Sequence, residues 1–302
     1  MDKWLEYWQQ EDLQPDVFTD KTGKKHKALR DFWQQHISSL SKQSSILDIA
    51  SGAGAIYRCV PEIHLYDAHA LDISNAALER LKKDIPSAHT YAQRLTKKSF
   101  KHQKFDAIVS QFGIEYLGKT GFAQLSRLLK DEAKFAFLSH IKDGAIDNVT
   151  QRSLKGLALI KRTEFLTLAE NVAEAFRQDK TEHVKDCVEL FMKIEPSVMR
   201  YTEKVPEGHH THLYHGVKHL LSNYNNYTHD TVIKWIETAR KQASENTQRL
   251  RSMHRAALNK QDIDELSETL LQQGLKITSA KPFYLKASEP PVAWEIVGVK
   301  KN

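Results

Sequence analysis

The stretch Ser45–Val60, SILDIASGAGAIYRCV, constrains what this chain can fold into more than any other. Ile46, Leu47 and Ile49 form an apolar run broken only by Asp48, and the run passes into the small-residue turn Ala50-Ser51-Gly52-Ala53-Gly54. That order predicts a buried strand, a tight turn and a helix start. Residues with almost no side chain let the backbone come close to a ligand. The amides of a following helix N-terminus then point at the ligand's polar groups.

The next hundred residues alternate between two periodicities. Strands are expected at Ala68–Leu71, His89–Ala92, Phe105–Ser110 and Ala133–Ser139, with helices at Asn75–Lys83 and Gly121–Leu129 between them. Strands alternating with helices predict a parallel sheet with right-handed crossovers. Ahead of this, Lys25–Leu40 reads as a helix with Leu29, Phe32, Trp33 and Ile37 on one face, and Trp4, Leu5 and Trp8 sit at helical spacing. The segment QPDVFTDKTG between them is turn-rich. Trp4, Trp8 and Trp33 read as core packing, with closure over a ligand as the alternative.

From about residue 142 to 260 the strand pattern stops. Helices are expected at Val149–Arg177, Thr181–Ile194, Thr211–Ser222 and Asp230–Leu258, with Pro196, Pro206-Glu207-Gly208 and Asn223–Asn226 as breakers. A helix at Asp262–Gln273 then leads to two last strands, Leu275–Leu285 and Val292–Val299.

The glycine turn, with its acid at Asp48 and glycines at Gly52 and Gly54, resembles motif I of the class I methyltransferases that use S-adenosylmethionine; Ala50 stands where that motif has its first glycine. The segment LDISNAAL at Asp72 resembles the family's second motif, and SQFGIEYL after the fourth strand resembles its post-strand-4 segment. The resemblance covers about residues 45–141 and 262–300. It implies a seven-stranded α/β sheet, Rossmann-like, parallel except for an antiparallel last strand. N-terminal helices (1–44) and a large helical insertion after strand 5 (142–260) would be added to a cofactor domain made of 45–141 and 261–302. The insertion is expected to act as a substrate lid.

For the cofactor, S-adenosyl-L-methionine, the resemblance implies contacts from Asp48, Ala50, Ser51, Gly52 and Gly54 in the turn. It also implies Asp72 on the ribose hydroxyls with Ile73 beside it, Ala92 and Gln93 at the adenine, and Ser110, Gln111 and Phe112 toward the methionine and sulfonium. An acid closing strand 2, about 20 residues past the turn, suits a ribose diol; capping of the next helix by Asp72 or Ser74 is the structural alternative. Glu115 and Tyr116 are the nearest titratable groups that could meet a methyl acceptor, and His140, just after strand 5, is the best placed histidine. These three are the catalytic candidates. A nicotinamide dinucleotide also uses a glycine turn and an acid, but Asp48 inside the motif favours the methyl donor.

Several classes are disfavoured. After strand 4 the chain reads Gln111-Phe112-Gly113 with no proline, unlike enzymes that methylate nucleobase amines. Neither Cys59 nor Cys187 stands where a nucleophile for pyrimidine C5 would be needed. His209, His210, His212, His215 and His219 crowd one stretch without an HExxH pattern, so no metal is expected. No apolar run reaches the ~20 residues that cross a bilayer. Two distant cysteines and an acid-bearing, amphipathic N-terminus predict a reduced, cytoplasmic protein. The net charge of +6 is scattered. The expected acceptor is therefore a small molecule methylated at oxygen or nitrogen. RNA or protein is the alternative, on the cations Lys161, Arg162, Lys241, Arg249, Arg251 and Arg255; a non-catalytic binding module is the third reading.

Overall fold

The computed structural model describes residues 3–9, 18, 26–178 and 181–301. Seven strands form one sheet: β1 (Ser45–Ile49), β2 (Asp67–Asp72), β3 (His89–Ala92), β4 (Phe105–Gln111), β5 (Leu129–His140), β6 (Leu275–Phe283) and β7 (Ala293–Lys300). Their order is β3-β2-β1-β4-β5-β7-β6. β7 runs antiparallel to both β5 and β6, and every other pairing is parallel. This is the class I methyltransferase sheet, with the helical insertion after the fifth strand.

β1 lies inside the sheet and is buried along its whole length, which is why Ile46, Leu47 and Ile49 are apolar around the single acid Asp48. On one face, Ile46, Ala68, Ala70, Ala107 and Val109 pack with Leu29, Phe32, Trp33 and Ile37 of α2 (Lys27–Ser38) and with Leu78 and Leu81 of α3 (Asn75–Asp84). On the other, Leu47, Ile49 and Ile108 pack with Ile263, Leu266 and Leu270 of α11 (Lys260–Gln272). Ser74 caps α3 by accepting the Ala77 amide. A capping box of Asn259 and Asp262 starts α11.

Several expected elements differ. No α-helix follows the glycine turn: Tyr57–Cys59 form only a 3-10 turn. The Tyr57 ring is fully buried and its hydroxyl lies 2.6 Å from His69 O and 3.0 Å from Ile46 O, so the segment is pinned beneath β1 and β2. Val60-Pro61 then stops it, since the residue before proline avoids helical backbone. The expected helix Gly121–Leu129 is two short pieces, α4 (Gly118–Phe122) and α5 (Leu125–Leu128), and β5 begins already at Leu129.

The chain divides into two compact units, one of Met1–Asp147 with Arg255–Asn302, the other Asn148–His254. The second is narrower than the expected insertion 142–260 because Ile141 and Leu258 pair in a parallel bridge within the first unit. It holds most of α6 (Ala145–Arg162) and α10 (His229–Ala256), with α7 (Phe165–Gln178), α8 (Thr181–Lys204) and α9 (His209–Ser222). Its own core includes Leu157, Phe165, Phe191, Tyr214, Val232 and Ile236. The expected single helix Val149–Arg177 is broken at Glu164, whose φ is 51°. Pro196, expected as a breaker, lies inside α8. The neighbouring Glu195 is buried and accepts the Tyr214 hydroxyl at 2.7 Å and pairs with Lys218 at 3.1 Å, which ties α8 to α9 beside the proline. Burial and the Glu195 charge push the Tyr214 hydroxyl well above its usual range.

Candidate active site

The candidate residues gather at the carboxyl ends of β1, β2, β4 and β5, where parallel sheets open a ligand crevice. The turn after β1 is built from left-handed backbone: φ is 56° at Ala50, 52° at Gly52 and 83° at Gly54. Glycine adopts this region without strain, and alanine adopts it at a cost. A Cβ at Gly52 would stand 2.7 Å from the Trp8 ring. The glycine therefore permits close approach of α1 (Lys3–Trp8) to the turn.

Asp72 ends β2 and fixes this geometry. Its Oδ2 accepts the Gly52 amide at 2.9 Å and its Oδ1 accepts the Ser74 amide at 2.8 Å. The carboxylate thus joins the glycine turn to the start of α3. Ser74 is the cap of α3, so the capping alternative holds for Ser74 while Asp72 spans two loops. Asp48 is buried in β1 between Ala70 and Val109. Ser51 is buried, with its amide bound to Leu71 O. Ile73 is half-buried beside Asp72, while Ala92 and Gln93 are exposed at the end of β3, the Gln93 amide bound to Asp72 O at 2.9 Å.

At the end of β4 the polar side chains are already engaged. Ser110 is fully buried; its hydroxyl donates to Ile49 O at 2.7 Å and accepts the Ile114 amide at 3.0 Å. It links β4 to β1, so its reach toward a cofactor is limited to the backbone. Gln111 Oε1 accepts Trp33 Nε1–H at 2.7 Å. Trp33 is therefore a core residue that also orients a site residue. Phe112 has a φ of 54°, a backbone conformation unusual for a bulky residue, held by its amide bond to Leu138 O at 2.7 Å. Such strain is common at binding sites.

The three catalytic candidates come together. Glu115 follows β4 in a short 3-10 turn and His140 closes β5; both are buried. Glu115 Oε1 lies 2.6 Å from His140 Nδ1 and accepts the His140 amide at 3.0 Å. The rings of Phe112 and Tyr116 flank the imidazole at 4.8 and 5.7 Å. From there aromatic contacts run to α1: Tyr116 meets Trp4 edge-on at 5.5 Å, Trp4 meets Tyr7 at 5.5 Å, and Tyr7 meets Trp8 at 5.3 Å. Phe18 adds a contact to Phe112 at 5.9 Å.

The sequence reads Trp4 and Trp8 as core packing, with closure over a ligand as the alternative. The wall's only signal was the helical spacing of Trp4 and Trp8. The turn-rich segment expected between α1 and α2 lies outside the described residues except for Phe18. The Glu115–His140 pair, 25 residues apart, carried no signal as a pair.

The histidine-rich stretch is elsewhere, in the second unit. His210 is buried and donates through Nε2 to Val205 O at 3.1 Å, His209 stacks on His212, and His219 bonds Tyr227 at 2.9 Å. Among the described residues no group of three or more His, Cys, Asp or Glu could hold a metal ion, and no helix is long and apolar enough to cross a membrane.

A turn of small residues and an acid pinned against it at the carboxyl edge of the sheet make a set that fits an adenosine-bearing sulfonium. Asp72 and the turn would hold the nucleoside, and Gln111 and Phe112 would lie toward the methionine end. A family model described as "Methyltransferase domain" matches residues 46–132. No curated protein matches in sequence. Among solved structures, the plantazolicin methyltransferase BpumL in complex with SAH is 11% identical, with 91% of this chain and 82% of that chain covered and a TM-score of 0.46. DesVI of Streptomyces venezuelae is 21% identical over 39% of this chain and 53% of that one, with a TM-score of 0.33. A TehB-like SAM-dependent methyltransferase from Corynebacterium glutamicum is 21% identical over 41% and 66%, with a TM-score of 0.33. Residues 46–132, which carry β1 to β4 and the start of β5, match a methyltransferase domain, and the sheet order β3-β2-β1-β4-β5-β7-β6 is that of the class I methyltransferases, which use S-adenosylmethionine.

Proposed function

We propose that this methyltransferase transfers its methyl group to oxygen or nitrogen of a small molecule. When bound, S-adenosylmethionine supplies an electrophilic methyl group on a sulfonium. The chain's task is then to hold the acceptor in line with that methyl group and to keep water out. The observation that carries the small-molecule reading is the aromatic wall. Trp8 lies on Gly52 and Trp4 meets Tyr116, so rings from α1 stand over the carboxyl edge of the sheet. Such a wall suits a compact, partly apolar acceptor more than a folded RNA or protein surface. Of the cations read for RNA, Lys241 pairs with Glu245, and Arg240 beside it pairs with Glu170.

Within this reading Asp48, the turn Ala50–Gly54, Asp72, Ile73, Ala92, Gln93 and the segment Ser110–Phe112 form the cofactor site. The test is transfer of labelled methyl from S-adenosylmethionine to cell extract split into small-molecule, RNA and protein fractions. Label is expected in the small-molecule fraction. Label confined to RNA or protein, or no label in any fraction, would overturn the reading.

A further inference from the structure

We infer that His140 is the general base of the transfer, that Glu115 is the residue that positions it, and that the acceptor atom is a hydroxyl oxygen. The inference rests on the small-molecule reading above.

Glu115 and His140 meet in a buried place. The Glu115 side chain is fully inaccessible and that of His140 is 6% exposed. A single carboxylate oxygen, Oε1, takes both the backbone N–H and the Nδ1 of His140, at 3.0 and 2.6 Å. With Glu115 ionised, Oε1 can only accept, so Nδ1 is the donor. The neutral ring then has its lone pair on Nε2. Two bonds from one oxygen to one residue fix both the ring's rotation and its tautomer, which is the orienting role an acid plays for a catalytic histidine. The aromatic groups against the ring are Phe112 and Tyr116; Glu115 and Tyr116 are the ionisable ones. Among the described residues no hydrogen bond is made to Nε2. Tyr116 in turn joins the imidazole to the wall of Trp4 and Tyr7.

A buried, oriented base is matched to one type of acceptor. A neutral amine is already nucleophilic and can lose its proton after transfer. A hydroxyl is a poor nucleophile until its proton is being removed. In the proposed step the acceptor's O–H bond breaks and its proton goes to His140 Nε2. The oxygen's electron pair forms the new O–C bond, and the electron pair of the breaking C–S bond stays on sulfur. The imidazolium so formed is balanced by the Glu115 carboxylate and returns its proton to water.

Three measurements test this. Nitrogen-15 NMR of the wild-type protein without ligands should find His140 as the Nδ1–H tautomer; the Nε2–H tautomer would overturn the proposal whatever the acceptor proves to be. His140→Gln should lower kcat for label transfer into the small-molecule fraction by about 10²- to 10⁴-fold, the usual contribution of a general base, while the S-adenosylmethionine Kd by calorimetry stays within about threefold of wild type. Glu115→Gln should move the acid limb of the kcat–pH profile to lower pH, because removing a carboxylate disfavours the imidazolium. A structural role alone would not move that limb. Undiminished small-molecule methylation by His140→Gln would refute the base and leave the small-molecule reading standing. Label only in RNA or protein would refute that reading, while the tautomer measurement would still decide how the pair is built.

Discussion

Ala50 and Gly113 share one space. A Cβ placed on Gly113 would lie 2.5 Å from the Ala50 Cβ, with Ser110 Oγ and Ala50 O at 3.1 and 3.2 Å. The residue that departs from motif I is thus accommodated by a glycine on the neighbouring strand end. The methyl group at position 50 lies against the segment that follows β4.

This pairing predicts a reciprocal effect. Gly113→Ala overpacks the contact and should destabilise the protein by about 1–3 kcal/mol, the usual range for an inserted core methyl. Ala50→Gly removes both the opposing methyl and the left-handed strain. The double variant should therefore recover most of the loss. Denaturant unfolding of the four proteins measures the coupling, and strict additivity would show that the two positions do not compete.

Asp72 carries two amides and is the proposed ribose ligand. Asp72→Ala should weaken S-adenosylmethionine binding by about tenfold to a hundredfold, following the ~1.5–3 kcal/mol of hydrogen bonds to a charged group. Far-ultraviolet circular dichroism should stay that of a folded protein. Calorimetric affinity equal to wild type would remove Asp72 from the cofactor site.

Trp8 tests the aromatic wall independently. It is half-buried against Gly52 at the edge of the fold, so Trp8→Ala should leave Tm within a few degrees of wild type. Loss of one apolar wall of the site should cost about 1–2 kcal/mol of cofactor binding, or about 5- to 30-fold in Kd. Unchanged Kd in this variant would place α1 outside the binding surface.

The second unit should show acid sensitivity from His209. Burial, then the charges of His212, Arg249 and His210, push its imidazole down to about 4 from the usual 6.5. The folded protein therefore binds this proton less readily than the unfolded chain does. Stability from this residue is present above pH 6.5 and is lost as pH falls toward 4. His209→Gln should flatten the decline of Tm across that window. An unchanged slope would assign the acid sensitivity to other groups.

Much of the fold was legible because local physics repeats. The strand Ile46–Ile49 is buried along its length, and such a strand is largely apolar wherever it lies in a parallel sheet, Asp48 being the exception here. The hairpin of β6 and β7 followed from strands separated by Pro290-Pro291. The missing helix after the glycine turn was not legible. What replaced it is the Tyr57 hydroxyl reaching two carbonyls on adjacent strands, a contact set by distance in space. Pro196 misled for the same reason: its local cost is outweighed where Glu195 is held by Tyr214 and Lys218 from another helix.

By itself the sequence determined the sheet and the methyl donor, because strand periodicity and a glycine turn act within a few residues of one another. Only the tertiary structure decided that Asp72 holds the turn, that Gly113 makes room for Ala50, and that Glu115 locks His140 beneath an aromatic wall. Those contacts join segments 20 to 112 residues apart, from Gly52–Asp72 to Trp4–Tyr116, and side-chain chemistry selects partners at that range only after burial has brought the segments together.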